Sequence, residues 1–194
     1  MTGLILAGGK SKRMGQEKAL LPLGNKTLIE RVADALGCVC DPVIIVTNTP
    51  SNYSFLGLEM VADLIVGHGA LSGIHAGLFF SPTPRAFVIG CDMPLVNPTL
   101  VRLLVEQKAK WDVVVPRVGE FLEPLHAVYS KRCLPTMEQF LLSGGRRILD
   151  LYPKLKVLEV SEAELRKVDP ELLSFFNVNT PEDLSEVEAL WSRT

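Results

Sequence analysis

A three-layer α/β/α sandwich around a mainly parallel sheet is the fold this sequence predicts. Two observations predict it. Short β-rich runs alternate with helical stretches along the chain. The runs are continuously apolar rather than alternating, as strands are when helices cover both faces of their sheet.

The elements follow in order. Gly3–Ala7 reads as a buried strand. Residues 27–36 read as a helix: Thr27 and Glu30 have capping-box spacing, and Leu28, Ile29, Val32, Ala33 and Leu36 share an apolar face. "VIIVT" (43–47) is the next strand and "LEMV" (58–61) a weaker one. Ser72 opens a helix through Phe80, and "AFVIG" (86–90) is a further strand. Asn97 as N-cap and Pro98 in the first turn start a helix over 99–109. "DVVVP" (112–116) is another strand. Beyond it, "LHAVY" (125–129) and "KVLEV" (156–160) read as strands, and 130–142 and 180–191 as helices. No repeat or linker interrupts the pattern. The expectation is one domain over 1–194, with a nucleotide-binding half (1–116) and an acceptor-side half (117–194).

A chain of 194 residues is long enough to bury a full core without metal or disulfide staples. With 20 basic against 22 acidic side chains, it carries no surface built for nucleic acid or an anionic membrane. Cys38, Cys40, Cys91 and Cys133 form no C-x-x-C pair, which excludes a zinc-ribbon or thioredoxin reading. No signal peptide or membrane-length apolar run is present, so a reducing cytoplasm is the expected location.

Against this neutral background, Lys10, Lys12, Arg13 and Lys18 crowd into one loop behind the first strand. In open parallel sheets ligands bind beyond the carboxyl ends of strands. Gly8 and Gly9 lack Cβ atoms, so backbone amides there can approach an anion closely. Two familiar phosphate motifs fail. A P-loop needs glycine where Leu4 stands, and Gly67, Gly69 and Gly73 are spaced one residue too far for a dinucleotide fingerprint. Asp92 follows the strand 86–90 and falls on the same sheet edge as the glycine loop. A carboxylate there suits Mg²⁺, which takes one or two carboxylates plus phosphate oxygens. A helix-cap role for Asp92 is the competing reading, and Asn97 fills that role better. His68, His75 and His126 show no metal-ligand spacing. Asn177 and Asn179 share a face of a short extended segment, one asparagine more than the cap of the last helix requires.

The pattern L-A-G-G-x-S-x-R-M-G-x-x-K at 6–18 resembles the signature of sugar-phosphate and cofactor nucleotidyltransferases. "GALSGIHAGL" (69–78), "EPLHAVYS" (123–130), "SGGRRI" (143–148) and "FNVNTPEDL" (176–184) resemble, in order, segments of the molybdenum cofactor guanylyltransferases, with Ala70 where that family has proline. The resemblance covers nearly the whole chain. It implies a Rossmann-like sheet of the nucleotide-diphospho-sugar transferase type. It also implies GTP at Leu6, Ala7, Gly8, Gly9, Lys18, Asn48, Asp63, Gly73 and Asp92, with Lys18, Arg13 and Asp92 catalytic and Mg²⁺ on Asp92. Molybdopterin would lie by Asn177, Asn179, Arg147, Glu123 and His126. Arg146 and Arg147 either cover a helix end or meet the pterin phosphate. Further implied is transient contact with molybdenum-insertion proteins or molybdoenzyme clients, and no nucleic acid or membrane partner. Gly8, where the related cytidylyltransferases usually have the second alanine of L-A-A-G, leaves room for a purine.

The implied reaction joins GMP to a phosphate that is already anionic, so no strong general base is needed, and no His–carboxylate pair supplies one. Three alternatives stay open: a related nucleotidyltransferase with CTP or another phosphorylated acceptor, a GTP-sensing regulator without turnover, and a pterin carrier.

Overall fold

In a computed structural model of the chain, the structure describes residues 1–8 and 17–192. Ten strands and seven α-helices are found among them: β1 Thr2–Leu6, β2 Pro22–Leu23, β3 Lys26–Thr27, α1 Leu28–Gly37, β4 Val43–Val46, β5 Glu59–Val61, α2 Ala70–Phe80, β6 Arg85–Gly90, α3 Pro98–Val105, β7 Val113–Val118, β8 Phe121–Leu122, β9 His126–Ser130, α4 Leu134–Leu142, α5 Ile148–Leu151, β10 Val157–Val160, α6 Glu162–Leu165 and α7 Pro181–Trp191. The main sheet runs β10-β7-β9-β6-β1-β4-β5, with β8 hairpinned onto β7. Pairing is parallel except in the β7–β8 hairpin and along β9, which runs antiparallel to both β6 and β7.

Helices cover both faces, which is why the strands lack alternation. Ile5, Ile45, Phe87, Ile89 and Val128 face α1 and α3, where Val32, Leu36, Leu100 and Leu104 meet them. Leu4, Leu6, Ile44, Val88 and Tyr129 face α2 and α4, packing on Ile74, Leu78, Met137 and Leu141. A smaller cluster of Leu21, Leu23, Leu28, Val178 and Val187 ties the β2–β3 hairpin to α7.

The caps explain where several helices begin. Thr27 accepts from the Glu30 amide while the Glu30 carboxylate accepts from Thr27, closing the expected capping box at α1. Thr180 and Asp183 form the equivalent box at α7, and Asn97 accepts from the Thr99 amide at α3.

Some boundaries differ from the sequence-based expectation. The second helix starts at Ala70 with Gly69 as its N-cap, in the left-handed region at φ 64°. The Ser72 hydroxyl, expected to cap, accepts instead from the His68 amide (3.3 Å). The α3 helix stops at Val105, short of Ala109, where the Arg85 guanidinium takes up the Val105 and Gln107 carbonyls. The stretch expected as one helix from Ser130 is a 3-10 turn, Lys131–Cys133, followed by α4.

Strand register positions the site. Leu6 pairs with both Val46 and Gly90, and Val46 pairs with Val61. The carboxyl ends of β5, β4, β1 and β6 are therefore level. The segments that leave them, beginning at Ala62, Thr47, Ala7 and Cys91, all emerge on one edge.

Candidate active site at the carboxyl edge of the sheet

That edge opens into a cavity of about 540 Å³ lined by Leu6, Gly8, Asn48, Asp63, Gly73, Asp92 and Leu125, among others. A smaller one of about 80 Å³, lined by Gly8, Glu17, Lys18, Ala19, Tyr53, Cys91 and Asp92, adjoins it through Gly8, Cys91 and Asp92. Six of the expected nucleotide residues thus share one wall, and Lys18 shares the smaller cavity with two of them.

Each position has a local cause. Asp92 folds back over the end of β6: a Cβ on Gly90 would lie 2.5 Å from its Oδ1, so only glycine leaves room for that carboxylate. The Val178 amide donates to the Asp92 carbonyl (2.9 Å), pinning the segment of Asn177 and Asn179 against the same loop. Lys18 Nζ then donates to Asn179 Oδ1 at 2.9 Å. Asn48 and Asp63 form a reciprocal pair: Asn48 Nδ2 donates to Asp63 Oδ2 (2.9 Å), and the Asp63 amide donates to Asn48 Oδ1 (3.1 Å).

Burial pushes the Asp92 carboxyl above the ordinary carboxylate range, opposed by its own backbone hydrogen bond and by the Lys18 charge. A raised proton affinity on a cavity wall is the condition that a bound cation relieves. Among the described residues no three His, Cys, Asp or Glu side chains gather into a cage. The Asp92 carboxylate on the cavity wall is the kind of donor that a hard divalent ion takes when its remaining positions go to substrate oxygens and water.

Other expected residues lie elsewhere. Ala7 is fully buried behind the wall, its amide donating to the Val46 carbonyl (2.9 Å). Asn177 turns its amide to the Phe175 carbonyl (3.1 Å). Arg147 is exposed at the start of α5, next to a loop held when the His68 Nδ1–H donates to the Gly145 carbonyl (2.8 Å). Glu123 is half-buried and lines neither cavity, and burial raises its carboxyl pKa. Gly9 and Arg13 lie outside the described residues.

The structure does not bring His126 to the cavity. Its ring is fully buried between Phe87 and Phe175, with centroids 5.1 and 4.9 Å away, and both ring nitrogens lack partners among the described residues. Burial pushes its pKa down to about 3. The unfolded chain takes up that proton near an ordinary value of about 6.5. The stability that neutral His126 contributes is thus complete above about pH 6.5 and is lost as pH falls toward about 3. Between about pH 7 and about pH 5 the loss is about 2 kcal/mol. His126→Leu is expected to remove that part of the acid sensitivity, read as a smaller drop in urea-unfolding free energy over the same interval. Equal drops in both proteins contradict it.

Sequence reasoning missed Glu17, Asn52 and Tyr53. The Glu17 carboxylate accepts from the Tyr53 hydroxyl and from Asn52 Nδ2. Only the position of Glu17 beside Lys18 gave any signal.

The family described as "MobA-like NTP transferase domain" matches residues 3–158. A probable molybdenum cofactor guanylyltransferase from Pelotomaculum thermopropionicum is 47% identical over 97% of this chain and 92% of its own. A molybdenum cofactor guanylyltransferase from Desulfosudis oleivorans is 44% identical over 97% of this chain and 95% of its own. The crystal structure of molybdopterin-guanine dinucleotide biosynthesis protein A from Archaeoglobus fulgidus superposes with a TM-score of 0.87, at 34% identity and full coverage of both chains. A 2-C-methyl-D-erythritol 4-phosphate cytidylyltransferase from Thermus thermophilus shares the fold at 17% identity, with a TM-score of 0.72 over 98% of each chain.

Proposed function

We propose that this chain, which belongs to the MobA-like NTP transferase family, transfers GMP from GTP to molybdopterin and releases pyrophosphate. The observation that carries this reading is the level ending of β1, β4, β5 and β6, which gathers Gly8, Asn48, Asp63 and Asp92 on one cavity beside Lys18.

An oxygen of the pterin's terminal phosphate attacks the α-phosphorus of GTP in line. A new P–O bond forms, the α–β bridging P–O bond breaks, and pyrophosphate leaves. The nucleophile is already an anion near neutral pH. The catalytic burden is bringing two polyanions together in line, which positioning and fixed charge supply. Lys18 binds the triphosphate, and the Gly8 and Gly9 amides and Arg13 add donors. Asp92 would hold Mg²⁺, which when bound neutralises charge on the phosphate oxygens.

The Asn48–Asp63 pair supports guanine. Asn48 occupies one carboxylate oxygen of Asp63, and the other, Oδ1, lies 3.8 Å from a Cβ built on Gly73, over the cavity wall. An acceptor-only carboxylate matches the adjacent N1–H and N2–H donors of guanine, whereas adenine presents an acceptor at N1. Competition among the four nucleoside triphosphates tests this. Wild-type protein is expected to prefer GTP. Asp63→Asn is expected to lose about 2 kcal/mol of that preference, roughly thirtyfold. Equal binding of GTP and ATP by the wild type contradicts it.

We assign the nucleotide to the half formed by 1–116 and the acceptor to 117–194. Asn179, already beside Lys18, and Asn177 approach the acceptor from one side. Glu123 and Arg147, which line neither cavity, are assigned to the acceptor on the family resemblance alone. His126 supports the segment from below, through Phe175. Mg²⁺ as the ion and transient contact with molybdenum-insertion or client proteins belong to the same reading. No helix among the described residues is long and apolar enough to cross a membrane.

A further inference from the structure

We propose that Glu17, clamped by Tyr53 and Asn52, is a positioning residue that aims Lys18 into the nucleotide cavity. The inference rests on the nucleotidyl-transfer reading given above and adds to it three residues outside the expected site.

A carboxylate is out of place here. Glu17 lines the same small cavity as Gly8, Lys18 and Asp92, where a triphosphate is expected, and its charge opposes that ligand. Such a group is tolerable only when its oxygens are satisfied and it does something a neutral side chain does not. Both oxygens are satisfied, one by the Tyr53 hydroxyl and the other by Asn52 Nδ2. Tyr53 is itself a fixed point. It is 1% exposed, packed in the core on the α1 side of the sheet, and burial pushes its phenol well above the ordinary range, so it stays a donor.

The clamp joins two segments that share no ladder bonds among the described residues. Tyr53 and Asn52 belong to the crossover that leaves β4 just beyond Asn48. Glu17 is the residue before the 3-10 turn Lys18–Leu20, and its carbonyl accepts from the Leu20 amide (3.0 Å). The Glu17 side chain makes no cap bond to that turn, because it is spent on the clamp. Holding Glu17 by side chain and carbonyl fixes the Cα of the next residue. Lys18 has a long, flexible stem, and its ammonium has one side-chain partner among the described residues, Asn179 Oδ1. When a phosphate takes that ammonium, the anchoring of its backbone decides where the charge sits. A displacement of about 1 Å can cost up to a hundredfold in rate.

The competing role for Glu17 is as a second carboxylate on the divalent ion with Asp92. The two roles separate in experiment. Tyr53→Phe keeps the buried ring and removes only the donor, and Asn52→Ala alters an exposed side chain. Pyrophosphate release with GTP, Mg²⁺ and molybdopterin, together with the GTP dissociation constant and the Mg²⁺ midpoint, is measured in wild type, Tyr53→Phe, Asn52→Ala, Glu17→Gln, Lys18→Ala and the double variants Tyr53→Phe/Lys18→Ala and Glu17→Gln/Lys18→Ala. The clamp predicts about a tenfold fall in kcat for Tyr53→Phe, with the acceptor KM and the Mg²⁺ midpoint unchanged. It predicts no further loss when the same change is made on Lys18→Ala. The inference is overturned by wild-type kcat in Tyr53→Phe, by an equal loss with and without Lys18, or by a shifted Mg²⁺ midpoint in Glu17→Gln with no such dependence on Lys18. A wild-type protein that binds GTP but makes no pyrophosphate sinks the nucleotidyl-transfer reading alone. The clamp is then judged on the GTP dissociation constant, where weakening by Tyr53→Phe only in the presence of Lys18 supports it and any other pattern sinks it.

Discussion

Asp92→Asn is expected to lower the rate of nucleotidyl transfer at least about a hundredfold while the protein still folds. The variant keeps the side-chain shape over Gly90, and the Val178 amide bonds to the Asp92 carbonyl, which the substitution does not touch. What changes is charge. The neutral amide loses the anionic oxygen suited to a hard cation. It also removes a carboxylate that burial disfavours, so the melting temperature should hold or rise. Pyrophosphate release and a thermal melt check both halves. Near-wild-type turnover contradicts the role assigned to Asp92.

Lys18→Ala is expected to have a comparable effect, roughly 3 kcal/mol of barrier or about a hundredfold in rate. Among the described residues its ammonium makes one side-chain hydrogen bond, the exposed contact with Asn179, so the fold depends little on it. The loss belongs mainly to kcat, because charge builds on the phosphates as the α–β bond breaks. Lys18→Arg is expected to restore only part of it: a planar guanidinium on a longer stem does not place a compact charge at the same point. Single-turnover measurements with saturating GTP separate the two. Full activity in either variant contradicts the assignment.

Much of this architecture is legible from particular residues. β1, β4 and β6 announce themselves as continuous apolar runs because helices bury both faces. The ends of α1 and α7 are readable because Thr27–Glu30 and Thr180–Asp183 satisfy otherwise unpaired amides within one turn. The direction of β9 is not legible, since an antiparallel strand buried on both faces carries the same run of residues as a parallel one. The strands of the β2–β3 hairpin are only two residues long, too short to show a period.

Legibility in the site divides the same way. Gly8 and Asp92 follow from chemistry at the ends of two strands. Asn48 and Asp63 came only from the family resemblance, because a single polar residue after a strand is commonplace until its partner across 15 positions is seen. The Glu17–Tyr53 contact spans 36 positions, and tertiary packing alone creates it.

Incubation of the purified protein with GTP, Mg²⁺ and molybdopterin, with products resolved by mass, tests the central claim most directly. The account predicts molybdopterin guanine dinucleotide and pyrophosphate in equal amounts, with GTP far ahead of CTP. GTP bound with no dinucleotide formed, or equal product from CTP, would contradict it.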